Sequence, residues 1–107
     1  MIKVDVAELV AALKALKVHL KARRNLNLLI QRGDRPGQLI LELSGRSKYS
    51  GMLTTITCSG VWRTDASVPA ASFRGFVAHP PEDKTTYMSF HEGRLHLGTW
   101  SCPASEQ

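Results

Sequence analysis

The stretch from Ser67 to Gly98 constrains the fold most. A strand ends at Val68-Pro69-Ala70, a short amphipathic segment follows through Phe73, Phe76 and Val77, and Pro80-Pro81 stops it. The chain then turns back on itself at Glu92-Gly93 in the hairpin Tyr87–Gly98. A two-residue loop there pairs His91 with Arg94, Phe90 with Leu95 and Ser89 with His96. Strand alternation puts Met88, Phe90, Leu95 and Leu97 on the buried face, and Tyr87, Ser89, His91, Arg94 and His96 on the other.

The rest of the chain supplies partners for that unit. Ile2–Val4 forms a short strand, and Asp5 with Glu8 three residues on makes a capping box for the helix after it. Val6, Leu9, Val10, Leu13, Leu16 and Leu20 recur at helical spacing, so one stripe faces a core. Lys14, Lys17 and Lys21 form a second stripe on its flank, and Ala7, Ala11, Ala12 and Ala15 fill much of the remainder. Lys17–Arg24 fits either a continued helix or a basic loop. Leu26–Arg32 and Gln38–Ser44 read as strands joined by the turn-forming Gly33-Asp34-Arg35-Pro36-Gly37. Gly45–Gly51 reads as a polar, basic loop. Met52–Cys58 alternates as a strand, with Met52, Thr54, Ile56 and Cys58 on one side. Val61–Val68, carrying Trp62, is expected as a further strand, and the polar tail Ser101–Gln107 is expected to fray.

With 107 residues, 43% of them hydrophobic, the chain has room for one domain, residues 1–107. No internal repeat is visible, and strands do not alternate with long crossover helices, which argues against a parallel Rossmann-type sheet. An α+β domain with helices on one face of a mainly antiparallel sheet fits. No run reaches the roughly 18 apolar residues needed to span a bilayer, and the N-terminus lacks the layout of a signal peptide, so a cytoplasmic location is expected.

Six of the basic residues, Lys3, Lys14, Lys17, Lys21, Arg23 and Arg24, stand against only Asp5 and Glu8 in the first quarter of a chain whose net charge is +5. That concentration suits a surface meeting phosphate or another acidic partner, and it suits equally a solvated flank whose lysine stems cover apolar surface.

Other chemistries lack their motifs. Cys58 and Cys102 are too few for a disulfide framework, and neither sits in a nucleophile motif. There is no P-loop and no Gly-x-Gly-x-x-Gly, and few carboxylates are placed for paired acid/base work. His91 and His96 share a hairpin face but make an incomplete metal site, whose third ligand would have to come from Cys58, Cys102, His19 or His79. Trp62, Trp100, Tyr49 and Tyr87 could stack on bases, although aromatics in strands more often pack in the core. The expectation is a non-enzymatic domain without metal or cofactor.

The order of elements also resembles one domain of a DNA sliding clamp, the bacterial polymerase processivity ring. Asn27-Leu28-Leu29-Ile30-Gln31 followed by Gly37–Leu43 looks like the clamp's early hairpin. Val68-Pro69-Ala70 then Phe73 is similar to the entry into its second helix, and Gly93-Arg94-Leu95-His96-Leu97 resembles its closing strand. The resemblance implies a DNA-clamp-like fold whose two helices face the DNA backbone. Lys14, Lys17, Lys21, Arg23, Arg24 and Arg74 would then make phosphate contacts to duplex DNA that carry no sequence information. It further implies a homo-oligomer, because a clamp protomer carries several such domains and this chain supplies one. A clamp domain continues with one more strand after the closing hairpin, where only Thr99–Ala104 remains here. The clamp's partner-binding pocket carries over to no residue of this chain. A clamp-like interaction module without DNA contact is the competing expectation, and a small hydrolase or metal-binding protein a third.

Overall fold

The computed structural model describes residues 1–18, 25–46 and 48–107. Alternation of apolar residues builds most of its strands, and the first of them runs directly into a helix. Strand β1 (Ile2–Asp5) buries Ile2 and Val4 and feeds helix α1 (Val6–Ala15). Strands β2 (Leu26–Arg32) and β3 (Gln38–Gly45) form a hairpin that turns Leu26, Leu28 and Ile30 inward against Leu39, Leu41 and Leu43. β4 (Leu53–Gly60) comes next, then β5 (Ala66–Pro69). A 3₁₀ turn, Ala70–Phe73, runs into helix α2 (Arg74–Ala78). The hairpin β6 (Thr85–His91) and β7 (Arg94–Leu97) and the strands β8 (Trp100–Pro103) and β9 (Ser105–Glu106) complete the chain.

The fold is α+β. Among the described residues nine strands form one sheet in the order β8-β7-β6-β1-β4-β3-β2-β5-β9, and every pairing is antiparallel. Side chains from both helices and from both ends of this sheet join one apolar cluster, with Leu9, Leu13, Phe73 and Phe76 at its helical side. Burying each such side chain contributes about 1.5–3 kcal/mol.

The pairing repeats itself. Ile2 faces Met88 in β1–β6 as Ala66 faces Ile30 in β5–β2. Ile30 faces Leu41 as Met88 faces Leu97, and Gln38 faces Thr57 as Arg94 faces Pro103. Ile2 also faces Gly60 as Ala66 faces Glu106. The chain is thus two strand-helix-strand-strand-strand units in one register, β1 to β4 and β5 to β9, with β8 and β9 together matching β4. Only Ala104 separates β8 from β9, so Trp100–Glu106 bonds β7 at one end and β5 at the other, and the sheet's two ends lie on one segment. The sequence conceals this repeat.

Several boundaries differ from the sequence reading. The hairpin register is as expected, with Glu92 and Gly93 at φ 53° and 73° as a type I′ turn requires, although Phe90 is only half-buried. The expected strand Val61–Val68 is confined to Ala66–Pro69. Trp62 lies before it in a non-strand segment and is buried, its indole N–H donating to the Ile30 carbonyl at 3.1 Å. The tail expected to fray is instead paired, with Cys102 buried and the Gln107 amide donating to the Asp65 carbonyl at 2.9 Å. Half of the capping box forms: Asp5 accepts from the Glu8 amide at 2.8 Å, but the Glu8 carboxylate turns away to β4.

Helix α1 ends at Ala15, with Leu16 as its C-cap. The Val18 amide donates to the Leu13 carbonyl at 3.2 Å and the Lys17 amide to the Lys14 carbonyl at 2.9 Å, with Lys17 at φ 56°. This is a Schellman closure with lysine where glycine is usual. The apolar stripe therefore ends at Leu16, with Val18 buried beneath the turn. The expected contribution of Leu20 lies outside the described residues.

Candidate nucleic-acid interface

Helices α1 and α2 pack against each other, each burying its apolar side in the common core. The spacing of their apolar residues decides which side chains stay outside. On α1 the exposed positions are Ala7, Ala11, Lys14 and Ala15, with Lys17 exposed in the closing turn. On α2 they are Arg74, Gly75 and Ala78. The outer surface of the helical layer is therefore low, made of alanine and glycine, with long cations rising from it. Lys14, Lys17 and Arg74 belong to this layer, but they do not share a cleft: Lys14 borders the groove between α1 and Pro80–Lys84, and Arg74 borders one with Ala71, Ala78 and His79. The first groove also carries Glu82 and Asp83, so its charge is mixed. Lys21, Arg23 and Arg24 lie outside the described residues.

The aromatic residues are engaged elsewhere. Trp100 stacks on Phe73 at 5.4 Å and meets Phe76 at 5.8 Å, and Trp62 is buried. Both act as packing residues. Tyr87 is exposed on the outer sheet face with Lys3 Nζ 5.9 Å from its ring centre, and Lys48 Nζ lies 5.2 Å from that of Tyr49.

The cysteines are free. Burial pushes the Cys58 thiol up, and burial pushes up Cys102 as well, against smaller opposing effects of the Arg94 charge and a hydrogen bond with Ser72. Both stay protonated thiols near neutrality, the opposite of an activated nucleophile. Among the described residues no group of three or more histidine, cysteine or acidic side chains is placed to hold a metal ion. His91 and His96 do come together, their rings stacked at 4.5 Å and 14°.

Two stretches of sheet edge stand out, and sequence reasoning did not single them out. β4 bonds β3 along Leu53–Thr57, while β1 covers only Cys58–Gly60 on its other side. The Cys58 amide points to β3's side, where it meets the Gly37 carbonyl at 2.9 Å, so the Thr57 amide points outward. Glu8 occupies it: the carboxylate accepts from the Thr57 amide and from its hydroxyl at 3.0 and 3.1 Å. The equivalent edge is β8, which among the described residues bonds β7 alone along Trp100–Pro103, and there the position matching Thr57 is Pro103, which has no N–H. Both edges are thus blunted at the same register position, as edge strands commonly are. Beyond that point the β4 edge carries Leu53, 59% exposed.

A scan against protein-family models finds no matching family, and searches of curated proteins and of solved structures find no match either. No helix among the described residues is long and apolar enough to cross a membrane.

Proposed function

We propose that this chain is a non-enzymatic, clamp-like domain that assembles with copies of itself and contacts duplex DNA without sequence preference through its helical layer. The observation that carries the reading is the pair of adjacent helices whose outer surface is alanine and glycine studded with Lys14, Lys17 and Arg74. Small residues let a phosphate backbone come close, and flexible cations meet phosphates without reading bases. Lys21, Arg23 and Arg24 extend the same set in sequence. One further feature supports a clamp-like plan: Trp100–Pro103 supplies the strand that such a domain needs after its closing hairpin.

The β4 edge favours a second reading, an interaction module that binds protein and leaves DNA alone, because Leu53, Met52 and Val61 are exposed on or beside it.

Titration with duplex DNA at about 50 and about 200 mM salt separates the two. DNA binding that weakens with salt, and weakens further in a Lys14→Glu/Lys17→Glu/Arg74→Glu variant, supports the first reading. No binding at the lower salt, or binding unchanged in that variant, refutes it. Light scattering over a concentration series tests assembly, and a monomer at every concentration refutes self-association.

A further inference from the structure

The outer face of the β6–β7 hairpin carries two histidines that the proposed function does not use. We propose that His91 and His96 form a two-imidazole chelate for a borderline divalent transition metal, Cu²⁺ before Ni²⁺ or Zn²⁺.

The geometry begins with the register. His91 pairs with Arg94 and His96 with Ser89, so the histidines are diagonal neighbours on one face of adjacent strands. Their rings lie 4.5 Å apart between centres and within 14° of parallel. An ion holding two imidazoles at about 2.0–2.1 Å sets the ligating nitrogens about 3–3.4 Å apart. The stacked rings lie in nearly parallel planes and their in-plane lone pairs do not yet converge, so both imidazoles must rotate about their side-chain torsions out of the stack before they can share one ion. Both side chains are accessible, His91 exposed and His96 half-buried, so an ion reaches them without opening the core.

The surroundings leave room for it. Arg94, the cation closest in register, is drawn toward β8, where its Nη2 donates to Ser101 Oγ at 3.1 Å. The type I′ turn at Glu92-Gly93 fixes the two strands on which the histidines stand, so little backbone order is lost on binding. Two nitrogen donors with no thiolate beside them suit Cu²⁺, Ni²⁺ and Zn²⁺ and disfavour Ca²⁺ and Mg²⁺, which take oxygen. Among the described residues no third donor completes the sphere, so the ion keeps open positions for water or an added ligand.

Isothermal titration of the intact protein with CuCl₂ tests this, together with Cu²⁺-induced broadening of its amide NMR spectrum. One equivalent should bind, and broadening should centre on residues 90–97. His91→Asn and His96→Asn should each weaken binding on the order of 100-fold, because either change removes the benefit of a tethered second donor. A His19→Asn/His79→Asn variant should bind as the parent does. Binding that survives either single substitution, binding lost in the His19/His79 variant, or broadening centred elsewhere would overturn the site. Both hairpin substitutions lie on the outer face, and an unchanged circular dichroism spectrum ties any loss to ligation.

Discussion

Replacing Lys17 by glycine should stabilise the protein, and the turn after α1 sets the amount. Lys17 holds φ 56° while its amide and that of Val18 close the helix onto Lys14 and Leu13. A residue with a Cβ pays about 1–2 kcal/mol for that conformation. Glycine removes the strain, but its greater freedom in the unfolded chain returns about 0.5–1 kcal/mol. The net gain is about 0.5–1 kcal/mol, or roughly 2–6 °C in Tm for a domain of this size. Urea denaturation followed by circular dichroism reads it as a higher midpoint at unchanged slope. Lys17→Ala removes the same charge and keeps the Cβ, so it should show no such gain. Both variants should lower the salt dependence of DNA binding by about 0.9 in log–log slope if Lys17 meets a phosphate. A lower midpoint for Lys17→Gly, or an equal gain for Lys17→Ala, would refute the assigned turn.

Other substitutions test other contacts. Trp62→Phe strands the Ile30 carbonyl in the core and should cost about 1–3 kcal/mol by denaturant titration. Gly98→Ala should destabilise by about 1–2 kcal/mol or more, because the residue sits at φ 59° and a Cβ there would lie 2.7 Å from the buried Thr86 Oγ1. Gly75→Ala in α2 meets open space and should instead stabilise by about 0.5–1 kcal/mol. Burial raises the Cys102 thiol above its ordinary value of 9.0, so the native state holds a proton that the unfolded chain releases. Its contribution is complete below that value and is lost as pH rises through the folded pKa, so stability should decline on the alkaline side. Cys102→Ala should flatten that decline, and an identical pH profile would contradict it.

The elements legible in the sequence were those with strong alternation and their own turn chemistry. Leu26, Leu28 and Ile30 against Leu39, Leu41 and Leu43, joined by a Gly-Pro-rich turn, announce a hairpin, and Glu92-Gly93 fixes the register of another. The paired tail was hidden because Ser101, Ser105 and Glu106 are exposed on short strands, leaving Cys102 as the only strong inward signal. The segment at Trp62 misled because its burial comes from one large ring and a hydrogen bond, not from strand pairing. The internal repeat was invisible because matching positions need only shape and register: Leu28 corresponds to Thr86 and Ile30 to Met88, pairs with no identity to detect. For the helical layer, helical spacing put Lys14 and Lys17 on one flank and the clamp resemblance added Arg74, but the packing of α1 against α2 is visible only in the structure. The Glu8 bond to Thr57 joins residues far apart in sequence, and the capping pattern assigned that carboxylate a different partner.

The repeat also exchanges strands between its halves. β1 sits between β6 and β4, and β5 between β2 and β9, so each half lends its first strand to the other's sheet. Neither half can complete its hydrogen bonding alone, and the chain is in effect a dimer written on one polypeptide, with Val61–Asp65 as its tether. Cleaved there, the fragments should remain associated and should unfold together, because separating them means pulling a strand out of each.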